Sequence, residues 1–254
     1  MQSELLTNAI QHQLQGTCLF YPGSARDILD PVMLFAPAIR SFWFADISYF
    51  AQQDEAASAE PALKVADGFE FLSAHVQTKL IPEVDWIKDP KYRGVEPCIR
   101  SEAYKHLASG AEIFIHRTRR RGPSALRSLI EPLGVFFFRG DSDEGGSGTL
   151  WLTATKSKEL IVEVLARLVD HGLIATDGSL CSGSPKNQYS QFAQIAHTWR
   201  ADNNNVHDAR FHDSAQRRFA LLGQVSTRWE MPTLLWRVTC GHQPCAGSNN
   251  SQRS

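Results

Sequence analysis

Apolar positions along this chain alternate between helical stripes and short runs that are apolar throughout. Residues 3–14 place Leu5, Leu6, Ile10 and Leu14 on roughly one face of a helix. Cys18, Leu19, Phe20 and Tyr21 follow with no polar alternation, as expected of a parallel strand buried on both faces. Pro22-Gly23-Ser24 breaks that run. Asp27 or Asp30 caps a second helix, with Pro31 in its first turn, that runs to about Ile39. Residues 41–47 read as the second strand, 51–62 as a surface connection, and 69–76 as another strand. Pro82, Pro90 and Pro97 make 82–102 an irregular insertion.

Beyond that insertion the pattern sharpens. Residues 112–117 predict a strand, 124–130 a short helix capped by Ser124, and 134–138 the most apolar strand of the chain. The strongest helical stripe, at 157–171, uses Leu160, Ile161, Val164, Leu165, Leu168 and Val169, with Ser157 at its start and Gly172 at its end. A strand at 173–176 follows. From 181 to 208 the chain is polar, with 191–199 as its ordered piece. Residues 219–229 and 233–239, joined around Met231-Pro232, predict an antiparallel pair. Strands alternating with helices, then a hairpin, predict one Rossmann-like α/β domain over 1–245. Its sheet is expected to be mostly parallel and flanked by helices, with a C-terminal antiparallel hairpin, an insertion at about 77–110 and a disordered tail at 246–254.

Composition adds exclusions more than assignments. The 254 residues are 43% hydrophobic and 21% charged, enough apolar content to bury a sizeable core. A formal net charge of −1 argues against a general binder of nucleic acid or of anionic membranes. No apolar run reaches the roughly eighteen residues of a membrane span, and no basic-then-apolar leader opens the chain. Five cysteines without framework spacing point to free thiols in a reducing, cytoplasmic setting.

The first βαβ unit carries the most suggestive spacing. Asp46 ends the second strand 23 residues after Gly23, close to the spacing of about 20 at which dinucleotide folds place a ribose-reading acid. Together with the alternating elements and closing hairpin, Gly23 and Asp46 resemble the class I S-adenosylmethionine-dependent methyltransferases. That resemblance implies an adenosyl cofactor over Tyr21, Gly23, Ser24 and Asp27, with Asp46 on its ribose. In that family an acid stands where this chain has Tyr21, and a second glycine where it has Ala25. The tail from Ala246 to Ser254 resembles read-through into the recombination site of a mobile gene cassette, which implies an accessory bacterial product.

Chemistry-bearing residues each admit a plain structural alternative. Asp141, Asp143 and Glu144, in a glycine-rich loop after a buried strand, would sit at the carboxyl edge of a parallel sheet, where ligands bind. They are placed to act as a base or to hold a cation, and equally to form a solvated turn. Gly23 and Asp27 serve a ligand or simply a turn and a helix cap. Ser24 lacks the Gly-x-Ser-x-Gly elbow of a nucleophile. The run from Arg117 to Arg121 suits a phosphate clamp or, better, a solvated ion-paired loop. His116 reads as a hydrogen-bonded strand residue. Cys240, His242 and Cys245 form an incomplete zinc set. Trp229, Trp236 and residues 136–138 read as core.

Two functions emerge as expectations. One is an enzyme that binds S-adenosylmethionine or a nucleotide at the sheet's carboxyl edge, with Asp141 or Asp143 as base. The other is a non-enzymatic protein that binds a small molecule or a protein partner and has lost the cofactor. Metal-assisted hydrolysis by Asp141, Asp143 and Glu144 is a third, with its remaining ligands unassigned.

Overall fold

The computed structural model describes residues 5–50, 53–80, 97–139, 160–179, 188–202, 206, 208–228 and 230–240. In chain order the elements begin with α1 (Asn8–Leu14), β1 (Cys18–Pro22), α2 (Leu29–Phe35), β2 (Ser41–Ala45) and α3 (Gln53–Ser58). A single 3-10 turn at Val65–Asp67 leads to β3 (Phe69–Gln77), β4 (Ile99–His106), β5 (Glu112–Thr118) and α4 (Gly122–Ser128). Then come β6 (Leu133–Phe138), α5 (Leu160–Arg167), β7 (Leu168–Thr176), α6 (Gln191–Ala201), β8 (Arg210–His212), β9 (Arg218–Arg228) and β10 (Met231–Thr239). They divide into two compact units, residues 18–130 and residues 1–17 with 131–254.

In the unit 18–130 the strand order is β3-β4-β5-β2-β1. β2 lies parallel to both β1 and β5, while β4 runs antiparallel to β3 and to β5. All five residues of β1 and of β2 are buried, so neither strand shows the polar alternation of a one-sided sheet. α3 packs on β3 and β4, and α4 packs on β1.

In the other unit the order is β6-β7-β10-β9-β8. β6 and β7 are parallel; β10 pairs antiparallel with β7 and β9, and β8 with β9. α1, capped by Thr7, buries Ile10 and Leu14 and packs on β7. α6 packs on β10 and sends Phe192 into an aromatic cluster with Phe211, Phe219 and Trp236. Phe211 stacks on Phe219 at 4.5 Å and meets Trp236 edge-on at 5.5 Å. Such pairs add about 0.5–1.5 kcal/mol each beyond the area they bury. Gly134, in β6, leaves room for Thr17: a Cβ there would lie 1.9 Å from the Thr17 Oγ1.

The expected Rossmann-like, mostly parallel sheet is not what forms. Three of the described strand pairings are parallel (β1–β2, β2–β5, β6–β7) and five are antiparallel. The strands are mixed in direction and lie antiparallel throughout β7, β10, β9 and β8. The methyltransferase resemblance falls with that sheet. The reason is physical: a run that is apolar on both faces reports burial, not direction, and β1 and β2 supported a parallel reading that the rest of the chain does not continue.

Local readings shift as well. β4 lies inside the stretch read as an insertion. The helix expected at 157–171 ends at Arg167, and Leu168 already pairs with Leu133 in β7. The terminal antiparallel pair is present as β9 and β10, with bulges at Thr233/Leu234 and Leu235/Trp236. No described helix is long and apolar enough to cross a membrane. Cys18 and Cys98 are buried thiols outside any disulfide, whereas Cys240 is disulfide-bonded, which departs from the reading of all five as thiols.

Candidate functional site

The parallel trio β1, β2 and β5 ends in a set of polar residues that the sequence singled out. The Gly23 N–H donates to the Ala45 carbonyl at 2.7 Å, so the turn stays tied to β2 as it leaves β1. Gly23 has φ +68° and Ala25 has φ +44°, so two of three successive residues occupy the left-handed region. Glycine takes that conformation freely; alanine takes it here because the turn is fixed from outside.

Asp46 does the fixing. Its Oδ2 accepts the Ala25 N–H at 2.9 Å, and its Oδ1 accepts the Ser48 N–H at 2.7 Å and the Ser48 hydroxyl at 2.6 Å. Its own N–H donates to the Thr118 carbonyl of β5 at 3.0 Å. A buried carboxylate that accepts three donors is well satisfied, and each such charge-assisted bond contributes about 1.5–3 kcal/mol. The Asp-x-Ser spacing from Asp46 to Ser48 is the local signal of this arrangement, an Asx-type turn legible in the sequence.

The remaining members pair with one another. Ser24 is fully buried and shares a 2.7 Å hydrogen bond with the Tyr49 hydroxyl. The Tyr21 hydroxyl donates to Asp27 Oδ2 at 2.9 Å. Burial pushes the Tyr49 hydroxyl far above the ordinary tyrosine range. Its bond to Ser24 opposes that rise, the Asp46 charge adds to it, the Arg117 charge opposes it and the Asp27 charge adds to it. Tyr49 therefore stays neutral and offers Ser24 no base, which leaves the nucleophile reading of Ser24 without support. Tyr21, Gly23, Ser24, Asp27 and Asp46 are thus brought together as the sequence suggested, and Tyr49 and Ser48 complete the set.

Beside this turn, the basic run after β5 is not the solvated loop that its composition suggested. Arg119 and Arg120 are 2% and 7% exposed. Arg119 donates from Nη1 to the Phe50 carbonyl and from its backbone to Cys98 O. Arg117 lies 5.2 Å over the Phe50 ring and donates to Glu102 Oε1 at 2.7 Å and to the Glu60 carbonyl at 2.8 Å. The same Glu102 oxygen takes Arg100 Nε at 2.7 Å, and Arg100 also holds the carbonyls of Ala56 and Ala57. Tyr104 donates to Glu102 Oε2 at 3.1 Å, and Ala62 N–H reaches the same oxygen. One fully buried carboxylate thus pins the segment around α3 to β4 and β5.

On the opposite face of the same strands, Ser101 of β4 hydrogen-bonds His116 Nδ1 of β5 at 2.8 Å, and the imidazole stacks on Trp43 of β2 at 4.2 Å. His116 is the hydrogen-bonded strand residue its sequence position indicated.

Asp141, Asp143 and Glu144 lie outside the described residues, as do Trp229, His242 and Cys245. Among the described residues no group of three or more His, Cys, Asp or Glu side chains is placed to hold a metal ion. No protein-family model matches the chain, and no curated protein or solved structure matches it either.

Proposed function

We propose that this is a non-enzymatic binding protein in which the turn after β1 is a structural lock. The observation that carries the reading is the occupancy of Asp46: both carboxylate oxygens are taken up by Ala25 and Ser48 of the same chain. Three of the roughly four acceptor positions of the Asp46 carboxylate are already filled, so a ribose diol, which asks for two, finds one left unless the Ala25 N–H gives up its partner. Full burial of Ser24 beneath Tyr49 supports the same reading, because the turn presents backbone and no reactive side chain.

A second reading keeps S-adenosylmethionine or a nucleotide at the carboxyl ends of β1, β2 and β5. It is favoured by the left-handed Gly23 beside an acid at the end of β2, and it assigns proton transfer to Asp141 or Asp143.

A thermal-shift and calorimetry screen with S-adenosylmethionine, S-adenosylhomocysteine, common nucleotides and divalent cations separates the two. A ligand at a hundredfold excess over its dissociation constant adds about 2.7 kcal/mol of apparent stability, so binding is easily seen. The lock predicts no shift with any of them, and an Asp46→Ala variant that loses about 2–3 kcal/mol of stability. A shift that Asp46→Ala abolishes at unchanged melting temperature establishes the nucleoside site instead.

A further inference from the structure

α6 packs on β10 and sets Phe192 against Phe211 of β8, Phe219 of β9 and Trp236 of β10, so these rings mark one face of the three strands. Strand alternation puts the residues between them on the other face. There Arg237 of β10, Ala220 of β9 and Arg210 of β8 stand side by side across the sheet, and Thr239, Arg218 and His212 form the next row. Arg210, His212 and Arg218 are exposed, while Arg237 and Ala220 are half-buried. With strands about 4.8 Å apart and alternate residues about 7 Å apart along each, the three arginines are rooted within roughly 10 Å of one another.

Among the described residues, no carboxylate pairs with these three guanidiniums, and the Arg237 Nε is buried without a partner. The nearest acids are engaged elsewhere or stand apart. Asp213, next to His212, takes Arg217 Nε at 2.6 Å, the N–H groups of Ala215 and Arg217, and the Tyr189 hydroxyl. Asp170, past the C-terminal end of β10, accepts the N–H groups of His171 and Cys240. Asp208, just ahead of β8, forms no ion pair with the three. Like charges gathered without an anion repel one another in the free protein, and an arriving anion relieves that repulsion.

We infer that this face docks a short acidic segment of a protein partner. A guanidinium offers a carboxylate two parallel N–H donors. An extended chain advances about 3.5 Å per residue, so two or three acids within four or five residues reach all three arginines. A long polyanion is the poorer fit. The net charge of −1 gives a nucleic acid or an anionic bilayer no overall attraction to the chain. No Phe, Tyr or Trp stands among the described residues of this face to stack on a base. Screening to about 8 Å at physiological salt lets a short segment feel the arginines and little of the chain's acids elsewhere. The inference rests on this face alone and is independent of what the turn at Gly23 does.

Fluorescence anisotropy of the full chain with a labelled peptide of alternating Glu and Gly tests it. Binding is expected at about 20 mM salt and should weaken at least tenfold by about 150 mM. Arg210→Gln combined with Arg218→Gln, both at exposed positions, should weaken it at least tenfold while the circular dichroism stays that of the wild type. Arg200→Gln removes an exposed guanidinium from α6, on the opposite face, and should leave binding unchanged. No binding at any salt, or an equal loss in Arg200→Gln, overturns the inference. So does an oligothymidylate of the same length that binds more tightly than the peptide and loses that advantage in the Arg210→Gln, Arg218→Gln variant, which makes the partner a nucleic acid.

Discussion

β3 and β8 each end their unit's strand order, and they solve the problem of an outer strand in opposite ways. β8 is three residues long; Arg210 and His212 are exposed, and Phe211 turns inward onto Phe192, Phe219 and Trp236. Short length and a flanking charge blunt it as a template. β3 is three times as long and exposes Phe71 and Leu72. What lies beneath differs too. β8 rests on an aromatic cluster, whereas β3 rests on β4, which is held from below by one carboxylate between two guanidiniums. An outer strand can thus be kept in register by apolar contact or by a buried charge set, and the two differ in how they fail.

Glu102→Gln should produce the largest effect. It keeps the volume but leaves the buried Arg100 and the half-buried Arg117 without their anion, which costs about 3–5 kcal/mol. Denaturant melts read the total, and hydrogen exchange should show β3 and β4 losing protection before β9 and β10. Uniform loss of protection would show that β3 does not depend on the charge set. Phe211→Ala comes next, at about 2–3 kcal/mol, since it removes one ring of a four-ring cluster from a half-buried position. Protection should then fall first at β8 and β9.

Both regions also contain a buried tyrosine hydrogen-bonded to a carboxylate. Tyr104 donates to Glu102 at 3.1 Å and Tyr189 to Asp213 at 3.2 Å. Burial, foremost, and then the neighbouring carboxylate push both hydroxyls well above the ordinary tyrosine value. An unfolded tyrosine loses its proton near pH 10, while these two keep theirs in the folded chain. Their contribution is therefore complete below about pH 10 and is lost as pH rises beyond it. Tyr104→Phe and Tyr189→Phe should each flatten the alkaline limb of the stability–pH curve, at a cost near neutrality of about 1 kcal/mol. An unchanged limb in both variants would place the alkaline loss elsewhere. The smallest effect is expected from Leu72→Lys, within about 0.5 kcal/mol, because the side chain already faces solvent.

Much of the strand inventory could be read from the sequence. β1, β2, β5, β6 and the β9–β10 pair stand out because each is dense in apolar or β-branched residues. β4 does not, because Arg100, Glu102, Lys105 and His106 make it look like surface while two of those charges are buried against each other and against Arg117. The Arg100–Glu102 pair lies within β4 and the Arg117–Glu102 pair crosses to the next strand, and in the sequence neither differs from an exposed charge pair. Strand direction was equally hidden, and so a short parallel trio suggested a parallel sheet. At the turn, the sequence grouped Tyr21, Gly23, Ser24, Asp27 and Asp46, and the structure places these residues together. What could not be read was the partner of Asp46: a backbone N–H of Ala25, a donor every residue but proline carries and none advertises.

The contact between Thr17 and Gly134 has a consequence for how the chain is made. Residues 1–17 belong to the unit completed by residues 131–254, and residues 18–130 form the other unit. A ribosome releases the second of these before Gly134 exists, so residues 18–130 can fold while the first seventeen wait without their seat. Helix α1, whose Ile10 and Leu14 are buried in the finished fold, has its apolar face uncovered in that interval and gains its cover only as residues from 131 onward are made.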